Sequence, residues 1–72
     1  MSMPQSCRDL LALCLDVAVK TESDAVAQVQ IERAVGMINY ALSCGDLTPV
    51  EHGNELAWIE LARATRRDPV NS

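Results

Sequence analysis

The segment Gly45-Asp46-Leu47-Thr48-Pro49-Val50-Glu51 constrains this chain more than any other, because it stops one helix and starts another within a few residues. Gly45 supplies the left-handed backbone conformation that closes a helix without steric cost. Thr48 is placed to cap the next helix and Pro49 fits its first position, where a backbone N–H has no partner anyway. Glu51 completes a capping box with Thr48. A tight helix–turn–helix connection follows from these residues alone.

Apolar periodicity extends helices to either side. Upstream, Ala27, Ile31, Ala34, Ile38 and Ala41 step by four, three, four and three, with Val35 and Leu42 beside them, and predict a helix over residues 24–44. Its seam has small residues at alternate levels. Gly36 lies off that seam at a cost of about 1 kcal/mol relative to alanine, which points to a close backbone approach. Downstream, the spacing predicts a helix over residues 49–67 that stops before Asp68-Pro69, since the residue preceding proline disfavours helix. Residues 68–72 read as a frayed tail.

At 100° per residue, Val50, Gly53, Ala57, Leu61 and Ala64 form one narrow stripe on the last helix, suited to packing on the alanine-rich seam. Leu56 and Ile59 point elsewhere, among His52, Glu55, Glu60, Arg63, Arg66 and Arg67, while Trp58 borders the stripe. Apolar residues on three sides of a terminal helix imply a second buried surface, supplied by the first helix or by another chain.

The first helix is expected over residues 4–20, with Cys7, Leu10, Leu11, Cys14, Val17 and Ala18 on one face and Leu13 and Leu15 outside it. Pro4 suits its start, and Ser6 with Asp9 offers a second possible cap. Thr21-Glu22-Ser23-Asp24 interrupts the pattern with residues that favour caps; because no Gly or Pro enforces the break, a single bent helix is the alternative. No segment shows the alternation of a strand. The expected fold is all-α: one domain over residues 1–72, either a three-helix bundle or a helical hairpin with an extra N-terminal helix.

A chain of 72 residues with only two aromatics, Tyr40 and Trp58, has a small core, which makes a homodimer the expected assembly. No apolar run reaches the ~18–20 residues of a membrane span, and the N-terminal stretch lacks the pattern of a secretion signal. A soluble cytoplasmic protein is expected, in a host cell's cytoplasm if a phage encodes it.

Chemistry-bearing residues are sparse. Cys7, Cys14, Cys44 and His52 are nominal metal ligands, but Cys7 and Cys14 stand two turns apart, roughly 10 Å along one helix, whereas structural zinc draws its ligand pairs from knuckles or single turns. Buried or reduced thiols are the simpler reading. Cys44 and His52 flank the tight turn without a third group or an oxyanion site. Carboxylate pairs such as Glu51 and Glu55, or Asp16 and Glu22, read as helix-start and surface charges. Neither a catalytic site, nor a metal, nor a cofactor is expected.

DNA binding is the alternative class, because a tight turn joins two helices. The helix after the turn opens with Glu51, Glu55 and Glu60, and ten acids against six bases give a net charge of −4, which repels phosphates. Placing Gly45 as the turn glycine of a DNA-reading unit puts Asp46 and Glu51 where apolar residues belong. Residues 61–72 alone are basic, with three arginines against one aspartate. Arg63, Arg66 and Arg67 match the helix dipole and can also meet an acidic partner. The expected partner or dimer surface is Tyr40, Leu56, Trp58, Ile59 and Arg63, with Arg66 and Arg67, since Trp, Tyr and Arg anchor interfaces.

The stretch Ala34-Val35-Gly36-Met37-Ile38-Asn39-Tyr40-Ala41, followed by Gly45 to His52, resembles the helix–turn–helix core of short proteins encoded by phages and other mobile elements. The resemblance covers roughly residues 31–62. It implies a small accessory protein that binds a host protein, as inhibitors of CRISPR complexes or of quorum-sensing regulators do. It carries over no functional residue.

Overall fold

The computed structural model describes residues 3–67 of the chain, so the expected tail over residues 68–72 lies outside the described residues. Three helices form the expected all-α bundle: α1 (Gln5–Lys20), α2 (Asp24–Cys44) and α3 (Pro49–Arg67), each packed against the other two. The bundle measures 39 × 19 × 17 Å.

Local chemistry sets the boundaries. The α2–α3 turn is built as its residues require: Gly45 takes φ +83°, the Asp46 amide donates to Ala41 O at 2.8 Å and the Gly45 amide to Leu42 O at 3.2 Å. This pattern satisfies the last carbonyls of a helix. The capping box is reciprocal, with the Glu51 amide donating to Thr48 Oγ1 at 3.1 Å and the Thr48 amide to Glu51 Oε1 at 2.9 Å. The 21–24 segment is a true break rather than a bend. Thr21 is extended and ends α1, and Ser23 caps α2 by accepting from the Val26 amide at 3.1 Å. At the other end α1 starts behind Pro4 with no side-chain cap, so Ser6 and Asp9 are not used as one.

The seam of α2 is the spine of the core: Ala27, Ile31, Ala34, Ile38 and Ala41 are all buried, as their spacing predicts. On α1 the inward line is Leu11, Cys14 and Ala18, with Cys7 and Leu15 half-buried against it. This differs from the expected face. Leu10 is half-exposed and Leu15 packs on the core, because α3 sits on the Leu15 flank and draws the buried line towards it. Met3 and Leu47 are buried, and both belong to the core cluster. Gly36 and Gly53 have open space where a Cβ would stand, so neither marks a close helix approach.

The main correction concerns α3. Its expected inward stripe of Val50, Gly53, Ala57, Leu61 and Ala64 faces water, with Val50 and Leu61 73% and 54% exposed and Trp58 at its border 62%, whereas Ile59 is 0% exposed and Leu56 packs on the core. The helix is turned about half a revolution from the orientation its apolar spacing suggests. Gly53, Ala57 and Ala64 offer little area to bury, while Ile59 and Leu56 offer more. Glu55 and Arg66, beside Ile59, also find partners on α1 and α2, which lowers the penalty for facing inward.

Candidate interaction surface

Polar contacts hold the inner side of α3. Near its start His52 Nε2 lies 2.7 Å from Asn39 Oδ1 of α2, and one turn on Glu55 Oε2 lies 3.7 Å from Arg8 Nη1 of α1. At the far end Arg66 reaches across the bundle. Its Nη1 donates to the carbonyls of Ala18 and Thr21, and its Nη2 pairs with Asp24 Oδ1 at 2.7 Å. A helix end leaves its last carbonyls without partners, and Arg66 satisfies them at the end of α1. The Arg66 side chain is largely covered, while that of Asp24 is fully exposed.

Arg63 lies between these contacts. Its Nε is enclosed and 3.4 Å from Glu60 Oε1, without the alignment of a hydrogen bond. Arg63 and Arg66 border an open cleft of about 520 Å³ between α2 and α3 whose floor includes Ala18, Ala27 and Ile31. With Arg66 committed to α1 and Asp24, little cationic surface is left there to meet a phosphate.

The outer side of α3 has the opposite character. Val50, Gly53, Asn54, Ala57, Trp58, Leu61, Ala64 and Thr65 face water, and none is charged. Trp58 and Leu61 continue into a shallow groove of about 410 Å³ against Ala12, Leu15 and Val19 of α1. The helix therefore turns Glu55 and Arg66 towards the other two helices and leaves Val50, Trp58 and Leu61 in water, with Glu60 also exposed. An exposed apolar patch rimmed by polar residues is the usual mark of an interaction site.

Of the expected interface residues, Trp58 and Tyr40 are exposed, on different helices and different sides of the bundle. Leu56 and Ile59 belong to the core instead, Arg66 is bonded within the chain, and Arg63 is partly enclosed. Of Arg67, its place at the end of α3 is described. Val50 and Leu61 join Trp58 on the outer surface, and the cue to them lay in the uncharged composition of their stripe.

The remaining chemistry is modest. Hydrogen bonding to Cys44 and the charge on its thiolate, with lesser effects of burial and Asp46, hold the Tyr40 phenol above its ordinary pKa. The Thr48 amide holds the Glu51 carboxyl below the usual range against an opposing effect of burial, and the Thr48 hydroxyl and Arg8 add smaller lowering effects. Cys14 is buried, Cys7 half-buried and Cys44 exposed, all as free thiols. His52 is bonded to Asn39 rather than to Cys44. Among the described residues no group of three or more His, Cys, Asp or Glu side chains is placed to hold a metal ion, and no helix is long and apolar enough to cross a membrane. In comparisons with protein families, curated proteins and solved structures, nothing matches the chain.

Proposed function

We propose that this chain is a small non-enzymatic protein-binding module that docks a host protein through the outer face of α3. It would act as a mobile-element accessory protein that inhibits or modulates a regulatory or defence factor. The observation that carries this reading is the uncharged outer face of α3, which exposes Val50, Trp58 and Leu61. Apolar groups left in water on a chain with so small a core are a cost that a partner recovers. Trp58 is the expected anchor, since tryptophan dominates interface energetics. The mobile-element setting rests on the resemblance of residues 31–62.

Cross-linking in cells that carry the chain, followed by reconstitution with the purified partner, tests this reading. Trp58→Ala with Leu61→Ser is expected to weaken binding at least about tenfold, consistent with the loss of a buried aromatic anchor. Equal binding by that double variant would exclude the α3 face. The DNA-binding alternative needs the arginine end of α3, and Arg66 is already bonded within the bundle. A titration with duplex DNA at low salt is expected to show no salt-dependent complex.

A further inference from the structure

Sulfur is gathered at one end of the bundle. Met3 and Met37 are the only methionines among the described residues, and both line a crevice of about 120 Å³ together with Cys7, Tyr40, Ala41 and Asp46. Local structure brings these residues together. A residue before proline is held extended, and Pro4 itself is extended at ψ 151°, so the chain entering α1 lays Met3 against the core instead of prolonging the helix. Cys7 stands in the first turn of α1, its amide donating to the Pro4 carbonyl at 3.1 Å. On α2, Met37, Tyr40 and Ala41 are three and four residues apart and share one face. Asp46 comes from the turn, where its amide donates to Ala41 O. No residue of α3 lines the crevice, so it stands apart from Trp58 and Leu61.

Three features give the crevice a chemistry. First, half of its lining residues carry sulfur, as two thioethers and one thiol. Met3 is 5% exposed while Cys7 and Met37 are half-buried, so the group is largely withdrawn from water and still reachable. Second, the space stays open. Methionine is the side chain that most readily fills an irregular gap, yet two of them, with the small Ala41 beside them, leave far more than the ~10–15 Å³ that a water-sized sphere needs. Third, Asp46 is the only charged residue in the lining, which favours a cation. Arg8, next to Cys7 in sequence, is turned to Glu55, and Arg33, one turn before Met37, is exposed and lines no part of the crevice.

We propose that Met3, Cys7 and Met37 form a three-sulfur site for one cuprous ion at the open end of the α1–α2 hairpin. Thioether and thiolate donors together select this soft cation. Zinc draws on Cys, His, Asp and Glu, of which the crevice offers Cys7 and Asp46 alone, fewer than the three or four protein ligands zinc takes. Charge matches as well. On binding, the Cys7 thiol releases its proton to water and the thiolate takes the ion, while both thioethers donate lone pairs without a change of charge. One monovalent cation with one thiolate is neutral, so it is held half-buried at little cost. The ion ties the chain entry at Met3 to α2, and the site is independent of the α3 reading.

Titration of the reduced full chain with cuprous bicinchoninate, under exclusion of oxygen, tests the proposal, because transfer of the ion bleaches that complex. The parent is expected to take up a single equivalent, and its thermal unfolding to move to higher temperature when the ion is bound. Met37→Leu keeps volume and apolarity, so it keeps the fold. It is expected to weaken copper binding at least about tenfold, the least that loss of even an outer partner of a metal costs, and to reduce the copper-dependent rise in Tm. Cys7→Ser is expected to weaken binding further. If circular dichroism shows that Cys7→Ser has lost helicity, Met3→Leu replaces it in the same titration. Cys44→Ser, which removes a thiol outside the crevice, is expected to bind like the parent. A parent chain that takes up no copper overturns the proposal. So does a helical Met37→Leu chain that binds as tightly as the parent, or binding that is lost with Cys44→Ser alone.

Discussion

Helices α2 and α3 are similar in length, at 21 and 19 residues, yet they join the bundle by different means. α2 docks through a continuous apolar seam in which each of five positions is buried, so its attachment is spread over several turns. α3 docks through Ile59 and Leu56, assisted by polar contacts from His52, Glu55 and Arg66 at intervals along its length. The first arrangement buries the whole seam, although Val26, Val29 and Tyr40 on the other side of the helix stay exposed. The second leaves Val50, Trp58 and Leu61 in water, and that difference is why the proposed partner surface is placed on α3.

The largest effect that probes this difference is at the point where α3 relies on one side chain. Ile59→Ala is expected to cost about 3 kcal/mol in denaturant unfolding, through lost transfer energy and the cavity left behind, while Leu61→Ala should change stability by less than about 0.5 kcal/mol. Equal costs would mean that both faces of α3 are buried. Next comes Arg66. Arg66→Met strips the end of α1 of its donors and is expected to cost about 2 kcal/mol, whereas Asp24→Asn should cost less than about 0.5 kcal/mol because that carboxylate is fully exposed. A loss shared equally by the two would place the stabilisation in the ion pair instead of the carbonyl contacts.

The turn was the most legible part of the chain. Gly45, Thr48 and Glu51 act through the backbone next to them, so their roles need no knowledge of the rest of the fold. The α2 seam was legible for a related reason: its five apolar positions align at helical spacing, and no competing stripe was read on that helix. α3 was misread because its orientation depends on residues far away in sequence. Glu55 turns inward towards Arg8, His52 towards Asn39, and Arg66 towards carbonyls at the end of α1. A helical wheel weighs each residue by its own apolarity and contains none of those partners. It also ranked Gly53, Ala57 and Ala64 as core candidates without counting how little area they bury.

Smaller effects test the local devices. Thr48→Ala is expected to cost about 1 kcal/mol, the usual value of an N-cap, with α3 remaining helical by circular dichroism. Because the Glu51 pKa is lowered in the folded chain, its stabilisation is present above the ordinary carboxylate range and is lost as pH falls through the lowered value. Unfolding curves of Glu51→Gln taken across the acid range should therefore show a shallower pH dependence than the parent. Smallest is Tyr40: removing the thiol with Cys44→Ala should move its phenolate titration, followed by absorbance, down towards the ordinary tyrosine value.

The orientation of α3 is tested most directly by thiol labelling at two adjacent levels of its surface, read peptide by peptide in the folded chain. Leu61→Cys is expected to react at nearly the rate of an unstructured peptide, whereas Ile59→Cys should be protected at least about a hundredfold, reacting only when the helix opens. The reverse order, with position 61 protected and position 59 reactive, would put the Val50–Leu61 stripe in the core and contradict the assignment of that face to a partner.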